Sequence, residues 1–267
     1  MSISSAFSTP SASSVSSVSS ASSEPAASGR PELLLVHGAW HGSWCWEKVR
    51  AALAARGRHV RTVDLPSAVS EESSGRLPGV ADDARVVREA IDGVDGPVVV
   101  VAHSYGGIPV TEATAGAANV THIVYLTAFQ LDIGESAFSF LGIPHADPDS
   151  VEGTYPVPEN GSDTFYRDVP KTVRDEALAR LVPQSARSFT EPVTRAGWHT
   201  LPSTYIVCDD DRSLSPSHQE RMAERAGTVR HLPGGHSPFL AAPEELATLL
   251  AEIAGPVAPF TGSQPEA

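Results

Sequence analysis

Lysine, cysteine and methionine are nearly absent from this chain of 267 residues. Its two cysteines are too few for a disulfide framework and lack the close spacing of a zinc site. Cys45 lies between Trp44 and Trp46, and Cys208 ends an apolar run, so both read as buried free thiols. Nothing there calls for an oxidising compartment, and a cytoplasmic location is expected. Lysine occurs only at Lys48 and Lys171, and the acids outnumber all bases to leave a formal net charge of -13. An acidic surface repels phosphate backbones and anionic lipid, so neither nucleic acid nor a membrane surface is an expected partner. No apolar run approaches the roughly 18–20 residues that a spanning helix needs. The Ser- and Ala-rich residues 1–30 lack the basic start and apolar stretch of a secretory signal. They read as a disordered tail, and residues 256–267 as a second one.

What is present is an alternation. Leu33, Leu34, Leu35 and Val36 form a continuous apolar run, as do Val98 to Ala102. Such runs suit strands buried on both faces of a parallel sheet. Further strands are predicted over His59 to Val63, Val120 to Ala128, Thr204 to Cys208 and Thr228 to Leu232. Helices are predicted between them. Ser43 is a candidate cap for the first, which runs through Val49 and Leu53 to about Gly57. In the second, Val80, Ala84, Val87 and Ile91 recur at helical spacing, with Asp and Arg assigned to the other face. Others follow Tyr105 to about Ala117, Pro216 to Ala226 and Pro243 to Ala254. The pattern predicts an α/β fold, a mostly parallel sheet with helices on both faces. Residues 31–128 and 202–255 form its core. Between them, residues 129–201 lose the regularity and are rich in proline and aromatics. An insertion of that length reads as a cap.

The chemistry begins at Ala102-His103-Ser104-Tyr105-Gly106, between a predicted strand and a predicted helix. This is the G-x-S-x-G nucleophile turn with alanine at its first position. Small residues are needed there because the chain folds back sharply around the serine. A serine hydroxyl needs a base to take its proton. Among ten histidines, His236 stands out, in the loop Leu232-Pro233-Gly234-Gly235-His236 between the last strand and the last helix. His231, inside a predicted strand, is expected to pack. The imidazole needs a carboxylate to orient it. Asp209, Asp210 and Asp211 follow the strand that ends at Cys208, and Asp132 is a weaker rival. Spacing alone does not choose among the three. Two N–H donors are needed for a developing oxyanion. Tyr105, after the serine, supplies one, and Ala39, in the loop after the first strand, is placed for the other. Trp40, His41, Trp44 and Trp46 are expected to pack structurally.

Four segments together resemble the plant methylesterase and hydroxynitrile lyase group of the α/β-hydrolase superfamily and its bacterial esterase relatives. They are His37-Gly38-Ala39-Trp40-His41-Gly42, Ala102 to Gly107, Tyr205 to Asp211 and Pro233-Gly234-Gly235-His236-Ser237-Pro238. The resemblance runs from about Leu33 to Ala254 and is least specific over residues 129–201. It implies a Ser104, His236 and Asp211 triad, because the group places its acid five residues before a proline, here Pro216. It also implies oxyanion donors at Ala39 and Tyr105, and no cofactor or metal. The lyases carry a lysine where this chain has Ser237 and a threonine where it has Gly38. Both departures point to the ester-hydrolysing branch, and the aromatic-rich residues 129–201 point to a small, mainly apolar carboxylic ester as substrate. A non-hydrolytic triad enzyme and a ligand-binding module are the alternatives.

Overall fold

The computed structural model describes residues 29–69, 76–144 and 147–255. The tail at residues 256–267, all but two residues of the tail at 1–30, and His145 lie outside the described residues. The six strands of the main sheet are β1 (Glu32–Val36), β2 (Val60–Val63), β3 (Val98–His103), β4 (Val120–Leu126), β7 (Ser203–Cys208) and β8 (Thr228–Leu232). They are hydrogen-bonded in the order β2-β1-β3-β4-β7-β8, every pair parallel. The short pair β5 (Thr154–Tyr155) and β6 (Gln184–Ser185) is antiparallel and separate.

The continuous apolar runs explain the layering. Successive side chains of a strand point to opposite faces. Leu34, Val36, Val98 and Val100 therefore enter one core, and Leu33, Leu35, Val99 and Val101 the other. On the first face lie α2 (Val80–Asp92), α3 (Gly107–Ala113) and α8 (Pro216–Ala223). The second is covered by α1 (Glu47–Ala55), α9 (Pro238–Ala241) and α10 (Pro243–Ile253). Between β4 and β7 the chain makes only short elements: α4 (Ala137–Leu141), α5 (Gly161–Thr164), α6 (Lys171–Leu178), α7 (Arg187–Thr190) and the β5–β6 pair. Among the described residues, no helix is long and apolar enough to cross a membrane.

Four local expectations change. Ser43 does not cap a helix through its side chain. Its N–H and hydroxyl donate to Asp64 at 2.6 and 3.0 Å, and a 3-10 turn at Ser43–Trp46 leads into α1. Asp83 lies on the buried face of α2 with Val80, Ala84, Val87 and Ile91, not on the polar face. The helix after Ser104 is shorter than predicted, because Ser104–Gly106 is a 3-10 turn and α3 ends at Ala113. His231 is exposed, because β8 is an edge strand whose middle residues face solvent.

Ile123, in central β4, is wholly buried among the residues of the first core. Ile123→Ala should cost about 2–5 kcal/mol, the range for truncating a buried aliphatic side chain. Urea unfolding would measure it, and a loss below ~1 kcal/mol would mean that this core collapses around the gap.

Candidate active site

All the loops in question leave the same, carboxyl end of the parallel sheet, where open α/β sheets bind their ligands. Ser104 follows the last residue of β3 with φ of 51°. That is the left-handed region, where a residue with a side chain is strained by about 1–3 kcal/mol. Among the described residues only Trp40 and Thr127 share a positive φ without being glycine, at 62° and 38°. Trp40 and Ser104 line one cavity, and Thr127 touches the acid behind it. Strain of this kind persists only where the surroundings fix it. Here Phe129 N–H donates to the Ser104 carbonyl at 3.0 Å. The need for a small residue in the turn has a concrete cause. A Cβ at Gly106 would run into the His37 carbonyl, and one at Gly38 would lie 2.8 Å from Ser104 Cβ.

His236 Nε2 lies 3.0 Å from Ser104 Oγ, and His236 Nδ1 lies 2.7 Å from Asp211 Oδ2. A carboxylate only accepts, so Nδ1 carries the proton and donates to Asp211. The bare Nε2 then accepts from the serine hydroxyl. Asp211 is buried, and its other oxygen accepts from Ser213 N–H and Leu214 N–H at 2.7 and 3.0 Å. Burial pushes its carboxyl up, but His236, the Thr127 hydroxyl and the Leu214 N–H outweigh that and hold it below the ordinary value. Gln219, fully buried on α8, bridges Cys208 N–H, the Leu214 carbonyl and Asp211, and so shapes the acid's loop.

The other sequence candidates separate here. Asp209 and Asp210 are exposed, and Asp209 pairs with His231 at 2.7 Å. Asp132 pairs with His199 at 2.9 Å. His41 and His103 are buried beneath the site. Burial lowers His41 to about 3 and takes His103 well below the ordinary imidazole value, so both are neutral at pH 7. His41 Nδ1–H donates to the Ala39 carbonyl at 2.7 Å and His103 Nε2–H to the His236 carbonyl at 2.8 Å. Ala39 and Tyr105 lie beside Ser104 in the wall of a cavity of about 410 Å3. The Tyr105 N–H is in the first turn of its helix, where N–H groups have no intrahelical acceptor. Trp40, expected only to pack, forms part of the same wall, with Phe138, Tyr155, Phe189 and Leu214. Among the described residues no charged side chain lines it; Arg187, for instance, is bound to Asp149 and Glu191 instead. Both cysteines are buried free thiols outside the site.

A parallel sheet covered on both faces, with a strained serine in the turn after a central strand, is an α/β-hydrolase arrangement. The chain belongs to the alpha/beta hydrolase family, whose model matches residues 33–249. A probable hydrolase from a Phoma species is 31% identical over 249 residues, covering 85% of this chain and 99% of that protein. Methylesterase 4 of Arabidopsis thaliana is 29% identical over 262 residues, covering 85% and 97%. A solved pyrethroid hydrolase from Sphingobium faniae shares the fold, with a TM-score of 0.69 at 24% identity over 84% of this chain and 97% of that one.

The Tyr105 hydroxyl donates to Asp83 Oδ2 at 2.6 Å, and Ser67 N–H donates to Asp83 Oδ1 at 2.9 Å. Gln184 joins Ser67 Oγ to the Trp40 N–H, so one buried polar chain ties α2 to the turn after β3 and the loop after β1. Burial raises the Asp83 carboxyl from 3.8 to about 7 in spite of these donors. The folded protein thus keeps this proton to higher pH than the unfolded chain does. The stability it contributes is present at low pH and is lost as pH rises from about 4 to about 7. Asp83→Asn should therefore gain stability relative to wild type across that window and level off above it. Urea midpoints at a series of pH values test this; a difference independent of pH would contradict it.

Proposed function

We propose that this protein is a carboxylic ester hydrolase that forms an acyl-enzyme on Ser104. The observation that carries the reading is the chain from Ser104 Oγ through His236 to Asp211, with links of 3.0 and 2.7 Å. Its methylesterase relatives support the ester as substrate. Ser104 Oγ attacks the ester carbonyl while His236 Nε2 takes its proton. Asp211 keeps the imidazole in the required tautomer and stabilises its charged form. The N–H groups of Ala39 and Tyr105 receive the negative charge that develops on the carbonyl oxygen. His236 then protonates the departing alcohol. Water then attacks the acyl carbon as His236 takes one of its protons; the bond to Ser104 Oγ breaks, and His236 returns the proton to Oγ as the acid leaves. Acyl transfer by this route draws on no cofactor or metal.

The described residues of the cavity wall are mainly apolar, which supports a small, mainly apolar substrate. Residues 129–201 serve as its cap, contributing Phe138, Tyr155 and Phe189 to the wall. Ser237 is wholly buried and outside the cavity wall, which favours hydrolysis over a reaction needing a cation at that position. The free thiols support a reducing, cytoplasmic setting.

Ser104→Ala should lower kcat/KM on an activated aryl ester by at least ~10³-fold, with melting temperature little changed. A variant that keeps wild-type turnover would sink the proposal.

A further inference from the structure

The loop that carries His236 is gripped at a single peptide. The Gly234 carbonyl accepts from Asp210 N–H at 3.0 Å, which joins this loop to that of Asp211. On the other edge of the same peptide plane, Gly235 N–H donates to Asp168 Oδ2 at 2.7 Å. A peptide is planar and its two polar groups point in opposite directions, so two bonds fix its orientation. The next residue is His236, whose own carbonyl accepts from His103. The backbone is thus held on both sides of the imidazole. Asp210 and Gly234 to His236 lie in the sheet's own loops and His103 ends β3; Asp168 alone comes from the segment between β4 and β7.

The glycines fit this contact. Gly234 has φ of 116°, and a Cβ there would lie 2.8 Å from Asp168 Oδ2. A Cβ at Gly235 would lie 2.9 Å from Asp168 Oδ1. The Gly-Gly pair leaves room for a carboxylate to seat directly on the loop. A charged acceptor on a backbone N–H makes roughly twice as strong a bond as a neutral one. The same short segment touches the other loops as well. Tyr166 OH donates to His41 Nε2 at 2.7 Å, and Asp163 receives Arg212 at 2.8 Å. The Phe165 ring lies 5.9 Å from that of His236.

We propose that Asp168 is a positioning residue for His236: by accepting from Gly235 N–H it holds the imidazole within reach of Ser104 Oγ. This rests on the reading of Ser104 and His236 as nucleophile and base. Asp168 is outside the cavity wall, so its loss acts on the base and not on substrate binding.

The test is steady-state kinetics on p-nitrophenyl acetate for wild type, Asp168→Ala, Asp168→Ser and Asp168→Asn, with hydrogen exchange at Gly235. Asp168→Ala and Asp168→Ser should lower kcat by ~10- to 100-fold, the scale of a small misplacement, with KM within about 3-fold. Asp168→Asn keeps an acceptor oxygen and should recover most of the rate. The Gly235 amide should exchange faster in the two truncated variants than in wild type or Asp168→Asn. Truncated variants within about 2-fold of the wild-type kcat would overturn the proposal, as would an asparagine variant no better than alanine. Ser104→Ala, measured alongside, separates the two readings. If it is inactive while Asp168→Ala is unimpaired, only the positioning role falls. If it retains wild-type activity, both fall.

Discussion

The backbone at Ser104 is held where a side-chain-bearing residue does not rest by choice, and the surrounding site is arranged about that constraint. Its φ of 51° is enforced from several sides. β3 is locked between β1 and β4, and Phe129 N–H holds the serine carbonyl. The His37 carbonyl occupies the place a side chain at 106 would need. Relaxing the turn would mean moving a central strand of a sheet buried on both faces. The two other strained residues, Trp40 and Thr127, stand at the loop after β1 and the end of β4. The sheet thus carries the strain that presents the hydroxyl to the cavity.

Around that turn the charges are sorted. Asp211 is held ionised by His236 and a ring of donors in spite of burial. The imidazoles of His41 and His103 are kept neutral by burial and donate to backbone carbonyls, which fixes two loops without adding a cation beside His236. Asp83 is the counter-case, a buried acid whose proton is retained to about pH 7 while it anchors the Tyr105 side chain. The described residues of the cavity wall add no charge of their own. In such surroundings backbone N–H groups aimed at a developing oxyanion act more strongly than they would in water.

Much of this was legible in the sequence because its causes are local. Continuous apolar runs marked β1 and β3, and small residues between strand and helix marked Ser104. A glycine pair before a histidine marked His236. The choice of Asp211 over Asp209 and Asp210 was not local: it depends on which carboxylate turns inward, and only the family resemblance pointed to it. Thr127 and Asp168 act through contacts with residues distant in the chain, and Gln219 through the fold of its helix back onto the loop of Asp211; no periodicity signals any of them. Asp83 did leave a trace, since an acid at the helical spacing of Val80 and Val87 sits on an apolar face. Reading the acids of that helix as solvent-facing hid it. His231 was misjudged because its exposure depends on β8 being the sheet's edge, a fact of topology and not of sequence.

The most direct test of the central claim is to treat the native protein with a fluorophosphonate ester and map the adduct by peptide mass spectrometry. The account predicts a single phosphonylation at Ser104, with hydrolysis of aryl esters lost in proportion to the fraction labelled. Undiminished hydrolysis after stoichiometric labelling of Ser104, or inactivation that follows labelling at another residue, would contradict it.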